Sequence, residues 1–403
     1  MSDAAPSGTT GGPAQWHYRV AATAACTLPG LFVRLTGGVP SYPIQLIAYG
    51  AAVVAAAFLL AWACEAAQVD YANGIVVAAV AFVAILPEYI VELHFAFSGH
   101  AEFVTANLTG ASRLLVGFCV AMPAALALLP LRWRPPPLRS IDLDPAQRLD
   151  LGILALAAVW ALRGVIQGQL TLLDSAVLVS LYIVFLRQAS RAGGDSPEPM
   201  GVAAELASLP RAQRRRWVGG LMLFAAAVIL ITAVPFGDAV LGTGSMVGIS
   251  PYLVLQWVVP VATEMPELVV AVVLLLHGRA SQSIAVLLAG AVSQYTLALG
   301  TLPLAYTLGA GTGPLPLQSR ERVELLLTTG VALYAVAALV SLRLSRGDAS
   351  LMLLLFSAQF LLPLGFTRVV IAVIFLALAV DVLIAERAQV RPLVVALRAR
   401  APV

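Results

Sequence analysis

Between Val261 and Gly300 the chain reads VATEMPELVVAVVLLLHGRASQSIAVLLAGAVSQYTLALG, and a carboxylate, Glu267, directly follows a proline in the middle of this apolar run. A carboxylate at the centre of a hydrocarbon-spanning helix costs about 2.5–3.5 kcal/mol on insertion scales, so it has to face protein rather than lipid. Pro266 carries no N–H, and the carbonyl of Ala262, four residues earlier, therefore loses its helical donor. An acid and a freed carbonyl at one depth can take a cation or a proton.

An earlier stretch repeats the arrangement. Residues Ala84 to Val116 read AILPEYIVELHFAFSGHAEFVTANLTGASRLLV, and an ungapped overlay places Pro87 on Pro266, Glu88 on Glu267, Gly99 on Gly278, Ala106 on Ala285 and Leu108 on Leu287. The offset between the two copies is close to half the chain. By the same logic Pro87 frees the carbonyl of Val83.

Composition supports a membrane setting: 60% of the 403 residues are hydrophobic, 11% are charged, and mean hydropathy is +0.91. These values fit a polytopic membrane protein. The net charge of +3 comes from loops and implies no nucleic-acid partner; the expected partners are the lipid bilayer and small cations. Cys26, Cys64 and Cys119 sit in apolar runs without CxxC spacing, which indicates neither a zinc site nor a disulfide framework. HExxH, GxSxG and Gly-rich phosphate loops are all missing, so an enzyme is not expected.

A membrane span needs about 20 apolar residues. Candidate spans run over 19–37, 42–68, 71–98, 101–130, 149–166, 168–189, 214–236, 250–278, 281–309, 320–344, 349–363 and 366–386. This makes twelve, with eleven or ten as alternatives, because Pro29 and Gly30 interrupt the first and the eleventh is short. Residues 1–18 read as a disordered tail, 19–189 as a first membrane half, 190–213 as a cytoplasmic linker, 214–387 as a second half and 388–403 as a C-terminal tail. With twelve spans, eighteen of the 24 arginines fall on one side and five (Arg34, Arg163, Arg320, Arg322 and Arg368) on the other, while Arg113 lies inside a span. The arginine-rich side is then cytoplasmic and holds both termini, as expected of a multi-pass protein of the cell membrane. The helices bearing Glu88 and Glu267 start on opposite sides. The fold expected is all-α, with 10–12 transmembrane helices in two inverted repeats, a layout that places substrate near the midplane between repeats.

Proline-glutamate on a first helix, a glycine turn and a small-residue second helix, repeated with inversion, resemble the cation/calcium exchanger superfamily, which includes the sodium/calcium exchangers. The resemblance implies two inverted five-helix repeats, here from about 42 to 363, and a secondary antiporter that exchanges Ca2+ or a related cation for Na+ or H+ by alternating access. No resident cofactor is implied, since the cation is cargo. The positions that match the family pattern are Glu88, Glu267, Thr263 and Gln294, with Asn107 matching more loosely. Ala84 and Ile85 stand where the family has threonine and serine, Glu264 where it has serine, and Leu115 where it has asparagine. Loss of hydroxyl ligands with retention of acids favours protons over sodium. A non-transporting member of the fold is the alternative.

If the repeats pack as in that family, Glu88 and Glu267 meet near the bilayer centre and form the metal-ligating pair. Two carboxylates plus the carbonyls of Val83 and Ala262 suit calcium, which takes six to eight oxygens. Burial penalises a carboxylate's charge, so an empty site is expected to hold protons that an arriving cation displaces. Glu92, one turn beyond Glu88, and Glu264, three residues before Glu267, are auxiliary cation ligands or proton acceptors, or else, for Glu92, a vestibule residue. Thr263, Gln294 and Asn107 can add neutral oxygens, although a buried threonine often bonds back to its own helix. Arg113 is expected to face away from the pocket and to pair with an acid such as Glu65 or Asp174. His94, His100 and His277 read as satisfied interfacial residues, and Asp70, Asp174, Asp238 and Asp381 as solvated caps at span ends.

Overall fold

The computed structural model describes residues 15–37, 41–70, 86–128, 140–189, 199–311, 313–361 and 365–398. Its helices are α1 (Gln15–Ala25), α2 (Leu28–Leu35), α3 (Tyr42–Ala67), α4 (Leu86–Phe97), α5 (Ala101–Arg113), α6 (Ala121–Leu128), α7 (Arg148–Gln167), α8 (Leu172–Ala189), α9 (Val202–Ala207), α10 (Arg211–Met246), α11 (Pro251–Leu276), α12 (Ala280–Ser293), α13 (Leu299–Ala310), α14 (Ser319–Leu339), α15 (Arg346–Leu361), α16 (Gly365–Ala385) and α17 (Arg387–Arg398). Four short strands lie between them: β1 (Ser140–Asp142), β2 (Gln169–Leu170), β3 (Leu315–Pro316) and β4 (Arg343–Ser345).

Among the described residues, nine helical segments are long and apolar enough to cross a membrane. The expected first span is instead two short helices, broken at Cys26–Thr27, with Pro29 in the first turn of α2 where its missing N–H costs nothing. Of the expected 71–98 span, only α4 is described. The eleventh is the 16-residue α15, and the seventh is longer than expected, since α10 runs 36 residues through Pro235 and takes in Asp238. The linker holds the short helix α9, the N-terminal segment is helical from Gln15, and the C-terminal tail forms α17, which packs on α7 through Leu397 against Gly152.

Two inverted five-helix repeats make up the core, and their correspondence extends to backbone detail. Gly99, between α4 and α5, and Gly278, between α11 and α12, both have φ near +79°. That left-handed conformation suits glycine, which has no Cβ to clash. His100 N–H donates to Phe95 O and Arg279 N–H to Leu274 O, each at 2.9 Å, with the same offset as the two Pro-Glu pairs. Both second helices then loosen into a π-helical turn, Leu114–Cys119 in one repeat and Gln294–Ala298 in the other. The carbonyls of Leu115 and Gln294 accept from the N–H five residues on.

The strands follow the same symmetry. β1, after α6, pairs antiparallel with β4, after α14, while β2, after α7, pairs with β3, after α13. Each pair therefore joins a loop of one repeat to a loop of the other, and the inversion puts the pairs on opposite membrane faces. The turns that follow also match: Thr171 Oγ1 donates to Asp174 Oδ2 at 2.8 Å, and Ser345 Oγ donates to Asp348 Oδ2 at 2.5 Å at the equivalent place in the second half. Between the repeats, α3 packs along α10, α7 against α14, and α5 against α11.

Candidate cation site

The site lies where α4 and α11 pass the opposite repeat's second helix. Nine residues separate Glu88 from Phe97, the end of α4, and nine separate Glu267 from Leu276, the end of α11. At 1.5 Å per residue each acid lies about 14 Å from its own turn glycine's face. Those faces are opposite, so both acids fall near the middle of a hydrocarbon core about 30 Å thick.

Gln294 ties the repeats together. Its Nε2 donates to Glu264 Oε1 on α11 and reaches Glu88 Oε1 on α4 at 3.5 Å. Glu88, Glu264 and Gln294 are all buried. Glu267 is partly buried one turn along α11 from Glu264, and it feels the charge of Glu88. The residue joined most directly to Glu88 is thus Glu264, through Gln294, rather than Glu267 alone. Being at the π-helical turn, where the backbone widens, Gln294 departs from regular helical packing; such turns recur at functional sites.

The remaining candidates divide. Asn107 Nδ2, on α5, donates to Glu92 Oε1 at 3.2 Å, which makes a second acid–amide pair within the first repeat. Thr263 Oγ1 donates to Val259 O at 3.1 Å, so its proton is used within its own helix. Pro266 lies inside the continuous helix α11 and leaves Ala262 O without the usual donor. Val83 falls outside the described residues.

Among the described residues, several buried oxygens of this region have no hydrogen-bond partner: Glu267 Oε2, Gln294 Oε1, Glu92 Oε2 and Asn107 Oδ1. A buried polar atom without a partner costs about 1–3 kcal/mol, so the cluster is built for something that supplies positive charge. Its donor set, carboxylate and amide oxygen with a freed carbonyl, is that of a hard cation.

A second buried charge cluster escaped the sequence reading. Arg113 is fully buried and pairs with Glu324 on α14, Nη2 to Oε2 at 2.7 Å; neither Glu65 nor Asp174 is its partner. Arg368 holds the other oxygen of Glu324, Gln256 Nε2 donates to Oε2 at 2.8 Å, and Arg113 Nη1 donates to Gln359 Oε1 at 3.1 Å. Arg368, expected at the start of a span among the arginines of the non-cytoplasmic side, is buried in the first turn of α16. Two of the four aspartates expected as solvated caps, Asp174 and Asp70, also differ. Asp174 is buried and accepts from Arg163 at 2.6 Å and Trp160 at 3.0 Å, and Asp70 accepts from Arg214. His277 Nδ1 lies 2.8 Å from Val273 O at the helix end.

Inverted repeats of this kind, with acids at their midplane contact, are the layout of a membrane transporter. Residues 41–189 and 217–378 match the sodium/calcium exchanger protein family, and the chain belongs to that family. Its fold matches that of the H+/Ca2+ exchanger CAX at a TM-score of 0.91 and 34% identity, covering 96% of this chain and 98% of that one. The Ca2+/H+ antiporter YfkE matches at 0.59 with 14% identity over 90% and 99% of the two chains. The sodium-calcium exchanger NCX_Mj matches at 0.54 with 17% identity over 85% and 99%. No curated protein matches the chain. This is a multi-pass membrane cation antiporter.

Proposed function

We propose that the protein exchanges calcium for protons, with Glu88, Glu264, Glu267, Gln294 and the Ala262 carbonyl forming the shared site. The observation that carries this reading is the Gln294 amide bridging acids from both repeats, Glu88 and Glu264, beside the unpartnered oxygens of Gln294 and Glu267. Three acids this close repel one another strongly in a low-dielectric interior, and either a divalent cation or protons relieve that repulsion. Competition between the two for the same oxygens is exchange. The likeness to the H+/Ca2+ exchanger CAX, at 34% identity along nearly the whole chain, supports protons over sodium as the coupling ion. So does the scarcity of neutral hydroxyls: Thr263 is engaged with its own helix, and Glu264 stands where a serine would otherwise serve sodium. The arginine distribution supports cytoplasmic termini in a cell membrane, with lipid and small cations as partners.

Calcium uptake into proteoliposomes under separately imposed pH and sodium gradients tests the reading. Uptake should follow the pH gradient and should fall at least tenfold in Glu88→Gln and Glu267→Gln. Uptake driven only by sodium would overturn the proton coupling.

A further inference from the structure

The first turns of three helices bring polar side chains into one buried group: Tyr252 on α11, Glu321 and Glu324 on α14, and Arg368 on α16. Glu324 is satisfied there, since Arg113 and Arg368 hold its two oxygens. Two donors are not. Among the described residues, neither Tyr252 Oη nor Arg368 Nε has a hydrogen-bond partner, although each residue is only 5% exposed. Buried donors are almost always paired, and one that is not points to a water or an ion.

Charge decides between the two. Arg113, Arg320, Arg368 and Glu321 all lie within electrostatic reach of Tyr252, and Arg368 in turn feels Arg113 and Arg320. With Glu324, three arginines meet two acids, which leaves one positive charge over. Arg320 is exposed, and its Cζ lies 3.5 Å from the centre of the Tyr252 ring, so it marks the end at which the group meets water. Arg113 is fully buried, where an uncompensated charge is costly. A water satisfies the unpartnered Glu321 Oε2 as readily as it satisfies a donor, but it brings no charge. Two free donors among three guanidinium groups call for an acceptor that is negative.

We propose that Tyr252 Oη and Arg368 Nε, with Arg113 and Arg320 alongside, hold a small monovalent anion of the chloride class. The anion accepts from both donors and ties the start of α11 to the start of α16. None of these residues belongs to the calcium site, so the ion is resident rather than cargo, and it stays in place whichever cation couple the antiporter uses.

Thermal unfolding in detergent reads the ion when sodium chloride replaces sodium isethionate stepwise in calcium-free buffer of constant ionic strength. Wild type should gain at least about 2 °C, and the gain should saturate. Tyr252→Phe keeps the ring beside Arg320 and removes only the hydroxyl. A hydrogen bond to a charged group is worth about tenfold or more in affinity, so the chloride midpoint should rise by at least that factor or the gain should vanish. In isethionate alone, Tyr252→Phe should match or exceed wild type, because it then loses nothing but an unpaired donor. Bromide-soaked crystals of the wild-type protein should show an anomalous peak within hydrogen-bond reach of Tyr252 Oη and Arg368 Nε. Equal melting temperatures in the two salts, or the same chloride response in Tyr252→Phe, would overturn the proposal and leave water as the partner of these donors. Should Tyr252→Phe fail to fold, the bromide peak decides, and its absence would overturn the proposal as well.

Discussion

Gly110 on α5 lies so close to Gln256 on α11 that a Cβ in its place would sit 1.9 Å from the Gln256 carbonyl oxygen. This approach runs backbone to backbone, so no side-chain rotation can relieve it. Gly110→Ala should therefore lower stability by at least the roughly 1–3 kcal/mol typical of overpacking. Thermal unfolding in detergent measures it, with Gly219→Ala, where nothing lies within 4 Å, as the control expected to stay near wild type.

Glu324 is the one acid among the residues forming the Arg113–Arg368 cluster. Removing a partner from a buried ion pair leaves an uncompensated charge and costs about 3–5 kcal/mol. Glu324→Gln strands two guanidinium groups at once and should be among the most destabilising single changes in the chain. The double variant Glu324→Gln/Arg113→Met should recover part of the loss in the same unfolding assay.

Gln294 has Leu115 as its counterpart in the other repeat, at the offset that relates Glu267 to Glu88. Gln294→Leu removes the amide that reaches both acids while keeping the side chain's bulk. Hydrogen bonds to charged groups are worth about 1.5–3 kcal/mol, so calcium affinity should drop about ten- to hundredfold. Calcium-dependent thermal stabilisation across a concentration series reads this directly, and an unchanged midpoint would show that Gln294 does not bear on binding.

Outside the membrane spans, Asp70 joins the end of α3 to the start of α10. Its oxygens accept from Arg214 at 2.6 and 2.8 Å, and these hydrogen bonds hold its carboxyl below the usual carboxylate range. A depressed folded-state value gives a contribution that is complete above the unfolded value, about 3.9, and is lost as pH falls through the folded one. Asp70→Asn should thus be less stable than wild type at neutral pH, and the two melting temperatures should converge below about pH 4.

The spans, the inversion and the shared acids were legible because each rests on local chemistry: apolar length, arginine bias, proline before glutamate. Gly99 and Gly278 were legible for the same reason, since only a turn explains glycine at that spacing. The partner of Arg113 was not. Glu324 lies in the other half of the chain, a few residues into a span, and nothing in the sequence pairs it with Arg113 until α14 and α5 are packed together. The partner of Arg368 was hidden likewise, because an arginine three residues into a helix has the same sequence signature whether it reaches toward water or toward a buried acid. The link from Glu88 to Glu264 depends on a widened backbone at Gln294, and no residue pattern announces a π-helical turn.

The paired strands β1–β4 and β2–β3 cross-stitch the halves at both ends of the helices they flank. Hauling α7 and α14 apart would rip backbone hydrogen bonds on the two membrane faces together, so these helices travel as one block. No such stitch reaches α3 or α10 among the described residues, so no strand pairing pins that long pair.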